Sequence, residues 1–77
     1  MNAAEVVNDL LVKRFGVTKA DIRFETPLRK LKMDSLALEE LRVLIENQLN
    51  IDLDEVALTS RDTVGALVAA VDGKVAA

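Results

Sequence analysis

Residues 35–49 run without a glycine, a proline or a stretch of β-branched residues. Asp34, a strong helix N-cap, stands before them, and Asn50, which tolerates the left-handed position that ends a helix, stands after them. The chain has 77 residues, too few for a second core, so a helix this long must be buried against other helices of the same unit. Two Phe and no Trp or Tyr leave the interior to Leu, Val, Ile and Ala. Without cysteine there is no disulfide to supplement the roughly 3–5 kcal/mol that a core of this size provides. Helix packing has to carry the fold.

The flanking sequence supplies that packing. Asn2 followed by Glu5 resembles a capping box. Val7, Leu10 and Leu11 then recur at helical spacing with Ala3 and Ala4 on the same side, Lys13 and Arg14 suit a helix C-terminus, and Gly16 ends the helix. Between Gly16 and Met33 no period holds. The spacing allows one turn over 18–22 capped by Thr18, and Pro27 removes Thr26 from helical geometry. This reads as a long loop anchored by Ile22, Phe24, Leu28 and Leu31, and loops of such length in small domains tend to be functional. Beyond Asn50, Asp52 or Asp54 is expected to cap a short helix through Val56 to Leu58. Asp62 is expected to cap a final helix whose inward positions are Val64, Leu67, Val68, Val71 and Val75, with Gly73 fraying its end. The expected fold is all-α: a small four-helix bundle of three long helices and one short third helix, with a long loop between the first two, forming a single domain over residues 1–77.

Ten basic and thirteen acidic residues give a net charge of −3, which argues against nucleic acid as a partner. The absence of His and Cys removes the usual zinc sites, thiol nucleophiles, Ser-His-Asp triads and imidazole acid–base chemistry together. No metal site and no self-contained catalysis are therefore expected. The longest apolar run, residues 66–71, is too short to span a bilayer, and no basic region followed by an apolar stretch opens the chain. A cytoplasmic monomer that does not engage membranes is expected.

A helical wheel over residues 35–49 places Leu38, Leu41, Ile45 and Leu49 on the core side, with Leu44 and Ala37 at its flank. Leu36 and Val43 fall opposite, among Glu39, Glu40, Glu46 and Asn47. Two readings stand for that strip: scattered exposed aliphatics without meaning, or a docking surface where apolar contact area is ringed by carboxylates that steer a basic partner. Ser35 opens the helix, where unpaired backbone N–H groups and the positive dipole end favour an anion such as a phosphodiester on the serine hydroxyl. Here too a second reading stands, in which Asp34 and Ser35 only cap the helix.

The run Leu31-Lys32-Met33-Asp34-Ser35-Leu36, followed by Glu40 and Leu41 and later by Ile51-Asp52-Leu53, resembles an acyl carrier protein. The resemblance extends over nearly the whole chain, in the order first helix, long loop, Asp-Ser-Leu at the start of the second helix, short third helix and a last helix begun by Thr63-Val64. It implies that Ser35 is the attachment point for 4′-phosphopantetheine, moved from coenzyme A by a phosphopantetheinyl transferase, whose thiol then carries acyl groups as thioesters. A chain without cysteine would so take part in thiol chemistry. The resemblance further implies that partner enzymes (the transferase, an acyl-loading enzyme, synthases and acyltransferases) recognise Asp34, Leu36, Glu40 and Val43, to which the wheel adds Glu39 and Glu46. The chain would be their substrate and not an enzyme.

Lys32 stands where this family commonly has Gly, and Arg29, Lys30 and Lys32 make the approach to Ser35 basic, either as solvated loop residues or as groups that hold phosphate or choose partners. Arg42, Asn47 and Gln48 occupy a stretch that is often acidic in fatty-acid carriers. The run Asp34-Ser35-Leu36-Ala37-Leu38 is similar to discrete carriers of bacterial polyketide pathways, whereas peptide-synthetase carriers commonly show a Gly-Gly pair before the serine. An aminoacyl or peptidyl carrier with the same arm is the nearest alternative. A helical adaptor that binds proteins through Leu36 and Val43 with Ser35 unmodified is the alternative from another class.

Overall fold

The computed structural model describes residues 2–76. Three α-helices are present among them: α1 (Ala3–Phe15), α2 (Ser35–Leu49) and α3 (Val64–Ala76), with α1 packed against both others. Local chemistry explains where the first two begin and end. Asn2 Oδ1 accepts the Glu5 amide at 2.8 Å, the capping half of the expected box, while Glu5 Oε1 accepts from the Asn2 side-chain Nδ2 at 3.1 Å in place of the backbone N–H that a full box uses. Gly16 takes the left-handed conformation, φ 69°, and closes α1. Asn50 does the same for α2 at φ 54°.

The interior is built from one stripe of each helix: Val6, Val7, Leu10 and Leu11 from α1, Leu38, Leu41 and Ile45 from α2, and Val64, Leu67 and Val71 from α3. Connecting segments complete it with Leu28, Leu31, Met33 and Leu53. No charged or polar residue is buried in it among the described residues. Val68 and Leu49 lie half-buried at its margin, whereas Val75, expected on the inward face, is 48% exposed at the last turn of α3. Gly73 lies within α3, which continues through Ala76.

The long connection from α1 to α2 contains two 3₁₀ turns, Lys19–Asp21 and Leu28–Leu31. The first is the turn expected over 18–22, although the Thr18 side chain makes no cap hydrogen bond. The second holds the anchors Leu28 and Leu31, and Ile22 is half-buried. Phe24 departs from expectation: the residue is 63% exposed, and its backbone does the anchoring. The Gly65 amide donates to the Phe24 carbonyl at 2.9 Å and the Val64 amide to the Thr26 carbonyl at 2.9 Å. A Cβ at position 65 would lie 3.0 Å from that Phe24 oxygen, so glycine permits the close approach.

The short third helix is not formed, which corrects the four-helix expectation to three α-helices among the described residues. Side chains outcompete helical hydrogen bonding there. Asp52 Oδ1 accepts the Asp54 amide at 2.8 Å, Glu46 Oε2 accepts the Leu53 amide at 2.8 Å, and the Arg42 guanidinium takes the Leu53 and Val56 carbonyls. What remains is a single turn closed by the Val56 amide on the Leu53 carbonyl at 2.9 Å, too short to repay helix nucleation. The expected cap of α3 is also corrected. Thr63 Oγ1 accepts the Ala66 amide at 3.1 Å, while the Asp62 carboxylate turns back to accept the Thr59 amide at 2.8 Å.

Candidate functional site

The entrance to α2 is positioned by what precedes it. Leu28 and Leu31 sink into the core, Met33 follows them with 1% of its surface exposed, and Lys32 between them turns the chain at φ 62°. This left-handed position favours glycine, so Lys32 holds a conformation there that an L side chain rarely adopts. Asp34 is extended, and its Oδ1 accepts the Ala37 amide at 2.8 Å. Ser35 is then the first helical residue, with an exposed side chain.

This geometry separates the two roles that the sequence leaves joined. Asp34 caps the helix and Ser35 does not: among the described residues the Ser35 hydroxyl has no hydrogen-bond partner. The Ser35 and Leu36 amides likewise find no acceptor among the described residues, since the first intrahelical bond runs from Leu38 to the Asp34 carbonyl at 2.9 Å. An exposed alcohol beside free amides at the positive end of a 15-residue helix suits a phosphodiester. Replacing Asp34 by alanine is expected to cost about 1 kcal/mol and lower the melting temperature by about 4–8 °C, read by circular dichroism.

Two open hollows flank this point. One of about 250 Å³ is lined by Ser35, Leu38, Glu39 and Arg42 on α2 and by Leu58, Thr59 and Ser60 opposite. The other, about 340 Å³, is lined by Arg29, Lys32, Met33, Asp34 and Ser60. The basic residues expected near Ser35 are thus brought to the α2 entrance in part: Arg29 and Lys32 share a hollow with Asp34, while Lys30 and Lys32 line another of about 290 Å³ with Phe15 and Thr18.

On the outer face of α2, Leu36 is 79% and Val43 50% exposed, and Glu39 and Glu40 are exposed beside them. Glu46 is half-buried and committed to the Leu53 amide. Glu39 lies 3.6 Å from Arg42 Nε, so Glu40 is the carboxylate of this face with no partner among the described residues. Glu46, Asp52 and Asp54 bring carboxylate oxygens within 4.8 Å of one another, but two of the three already accept backbone amides. The sequence reading overlooked Arg42 as a structural residue. Its signal was present in the spacing, because Glu39, Arg42 and Glu46 at i, i+3 and i+7 share one side of the helix.

Residues 5–71 match the family model of the phosphopantetheine attachment site, and the chain belongs to that family. Domains of this family are the attachment site of the 4′-phosphopantetheine prosthetic group; they are acyl or peptidyl carriers that are not themselves catalytic, and they interact with phosphopantetheinyl transferases and with synthase or acyltransferase enzymes. No curated protein and no solved structure matches the chain significantly. Among the described residues no helix is long and apolar enough to cross a membrane.

Proposed function

We propose that Ser35 is the residue that bears the 4′-phosphopantetheine arm and that the chain is a discrete acyl carrier of polyketide or related specialised biosynthesis. The observation that carries the attachment reading is the exposed Ser35 hydroxyl, left without a structural task because Asp34 caps the helix. In the transfer the Ser35 oxygen attacks the pantetheine-side phosphorus of the coenzyme A pyrophosphate, adenosine 3′,5′-bisphosphate leaves, and the serine proton passes to a base of the transferase. The free Ser35 and Leu36 amides stabilise the resulting negative charge at the helix entrance. When bound, the arm supplies a thiol that holds acyl groups as thioesters. The polyketide assignment is supported by the run Asp34-Ser35-Leu36-Ala37-Leu38 and by the absence of a Gly-Gly pair before Ser35.

Partner recognition falls to the outer face of α2, with Leu36 and Val43 as contact area and Glu39 and Glu40 as the exposed charges. Asp34 and Glu46 contribute to it through positions fixed by their own amide bonds. Reversing charge by Glu40→Lys is expected to lower the association rate with a basic transferase about fivefold at low salt, to leave the melting temperature unchanged, and to lose its effect in high salt. Stopped-flow binding at two ionic strengths measures this. The attachment reading itself is tested by incubating the purified chain with coenzyme A, magnesium and a permissive phosphopantetheinyl transferase. An intact mass higher by one arm is expected, and an unchanged mass with several such transferases contradicts it.

A further inference from the structure

Residues 51–63 contain no α-helix, so their backbone groups must find partners elsewhere. At Leu53 those partners come from α2 on both sides. Its side chain is fully buried, its amide donates to Glu46 Oε2 at 2.8 Å, and its carbonyl accepts from Arg42 Nη1. The second prong of the same guanidinium reaches the Val56 carbonyl at 3.0 Å. The Arg42 side chain is only 14% exposed, and charge-assisted bonds in such a poorly solvated place are stronger than their surface equivalents. Further along, the Ser60 carbonyl accepts the Arg29 amide at 2.8 Å, so the segment is fastened at its far end as well.

We propose that Arg42, assisted by Glu46, is a positioning residue that clamps residues 53–56 to α2 and so holds Leu58, Thr59 and Ser60 as the standing wall of the hollow beside Ser35. Arg42 lines the same hollow from the α2 side, which makes it the link between the two walls. The guanidinium reaches the two carbonyls with two separate nitrogens held in one rigid plane, a geometry that the compact ammonium of lysine does not reproduce. The clamp also shapes the outer face, since it commits Glu46 to the Leu53 amide, while Glu39 stays 69% exposed at 3.6 Å from Arg42 Nε, without a hydrogen bond to it, and Glu40 is exposed beside it. That the wall faces a group hung on Ser35 rests on the attachment reading; the clamp does not.

Amide hydrogen exchange on the unmodified chain tests the clamp. In Arg42→Met, which keeps an apolar stem, the Leu53, Val56 and Arg29 amides are expected to exchange at least about tenfold faster, while Leu11 and Ile45 keep their protection. Arg42→Lys keeps the charge and the apolar stem and is expected to speed the Leu53 and Val56 amides about threefold or more. Wild-type exchange at these amides in either variant overturns the proposal. The facing wall is tested by arm attachment in the wild type, which is expected to shift the amide resonances of residues 58–60 and to leave them unshifted in Arg42→Met. Attachment without such a shift in the wild type overturns the wall's role. If the wild type takes no arm at all, the attachment reading fails while the exchange result still decides the clamp.

Discussion

Replacing Ser35 by alanine is expected to abolish transfer of 4′-phosphopantetheine from coenzyme A completely while leaving the fold intact. The expectation of a complete loss follows from chemistry, because alanine offers no oxygen to attack phosphorus. The expectation of an intact fold follows from the structure: the Ser35 hydroxyl has no partner among the described residues, the cap belongs to Asp34, and alanine is a better helix former at an exposed first position. Stability should stay within about 0.5 kcal/mol of the wild type, as for other surface substitutions. Intact mass after incubation with transferase and thermal melting by circular dichroism read the two halves separately. A Ser35→Ala chain that still gains the arm would move the attachment elsewhere, and one that fails to fold would give Ser35 a structural task.

The largest effect on stability is expected at Leu53. Leu53→Ala should cost about 2–5 kcal/mol, the range for a buried leucine cut back to alanine. Leu53 has no exposed surface, and its backbone is pinned by Glu46 and Arg42, so the surrounding chain has little freedom to collapse into the cavity. Against the roughly 3–5 kcal/mol that the core of so small a chain supplies, such a loss leaves much of the population unfolded at 25 °C. Urea titration followed by circular dichroism measures it. Leu36→Ala is the control: Leu36 is 79% exposed, and its replacement should change stability by no more than about 0.5 kcal/mol. A cost below about 1 kcal/mol for Leu53→Ala would show that residues 51–58 do not belong to the core.

What could be read from the sequence was what local chemistry decides. Asn2 with Glu5, Gly16, Asp34 and Asn50 each act within one turn of themselves, and each ends or starts a helix as their residue types dictate. The α2 wheel separated Leu38, Leu41 and Ile45 from Leu36 and Val43 because helical geometry alone fixes those faces. The misreadings arise where a distant partner decides. Residues 52–58 carry a plausible capping aspartate, but Arg42 and Glu46 on another element take the backbone groups a helix would need. Asp62 and Thr63 are both good caps, and the Thr59 amide is what draws Asp62 away. Phe24 looks like a core anchor by composition, yet the approach of Gly65 secures its backbone and leaves the residue exposed. At the site, the position of Ser35 was legible, whereas its freedom from capping depends on which oxygen reaches the Ala37 amide.

The chain has one other serine, Ser60, half-buried and lining both hollows beside the α2 entrance, so the sharpest test is which of the two receives the arm. Trypsin separates them, since cleavage after Lys32, Arg42 and Arg61 places Ser35 in the peptide 33–42 and Ser60 in the peptide 43–61. Tandem mass spectrometry of the transferase-treated chain should find the whole added mass on peptide 33–42, at Ser35. Mass on peptide 43–61, or on neither, contradicts the account.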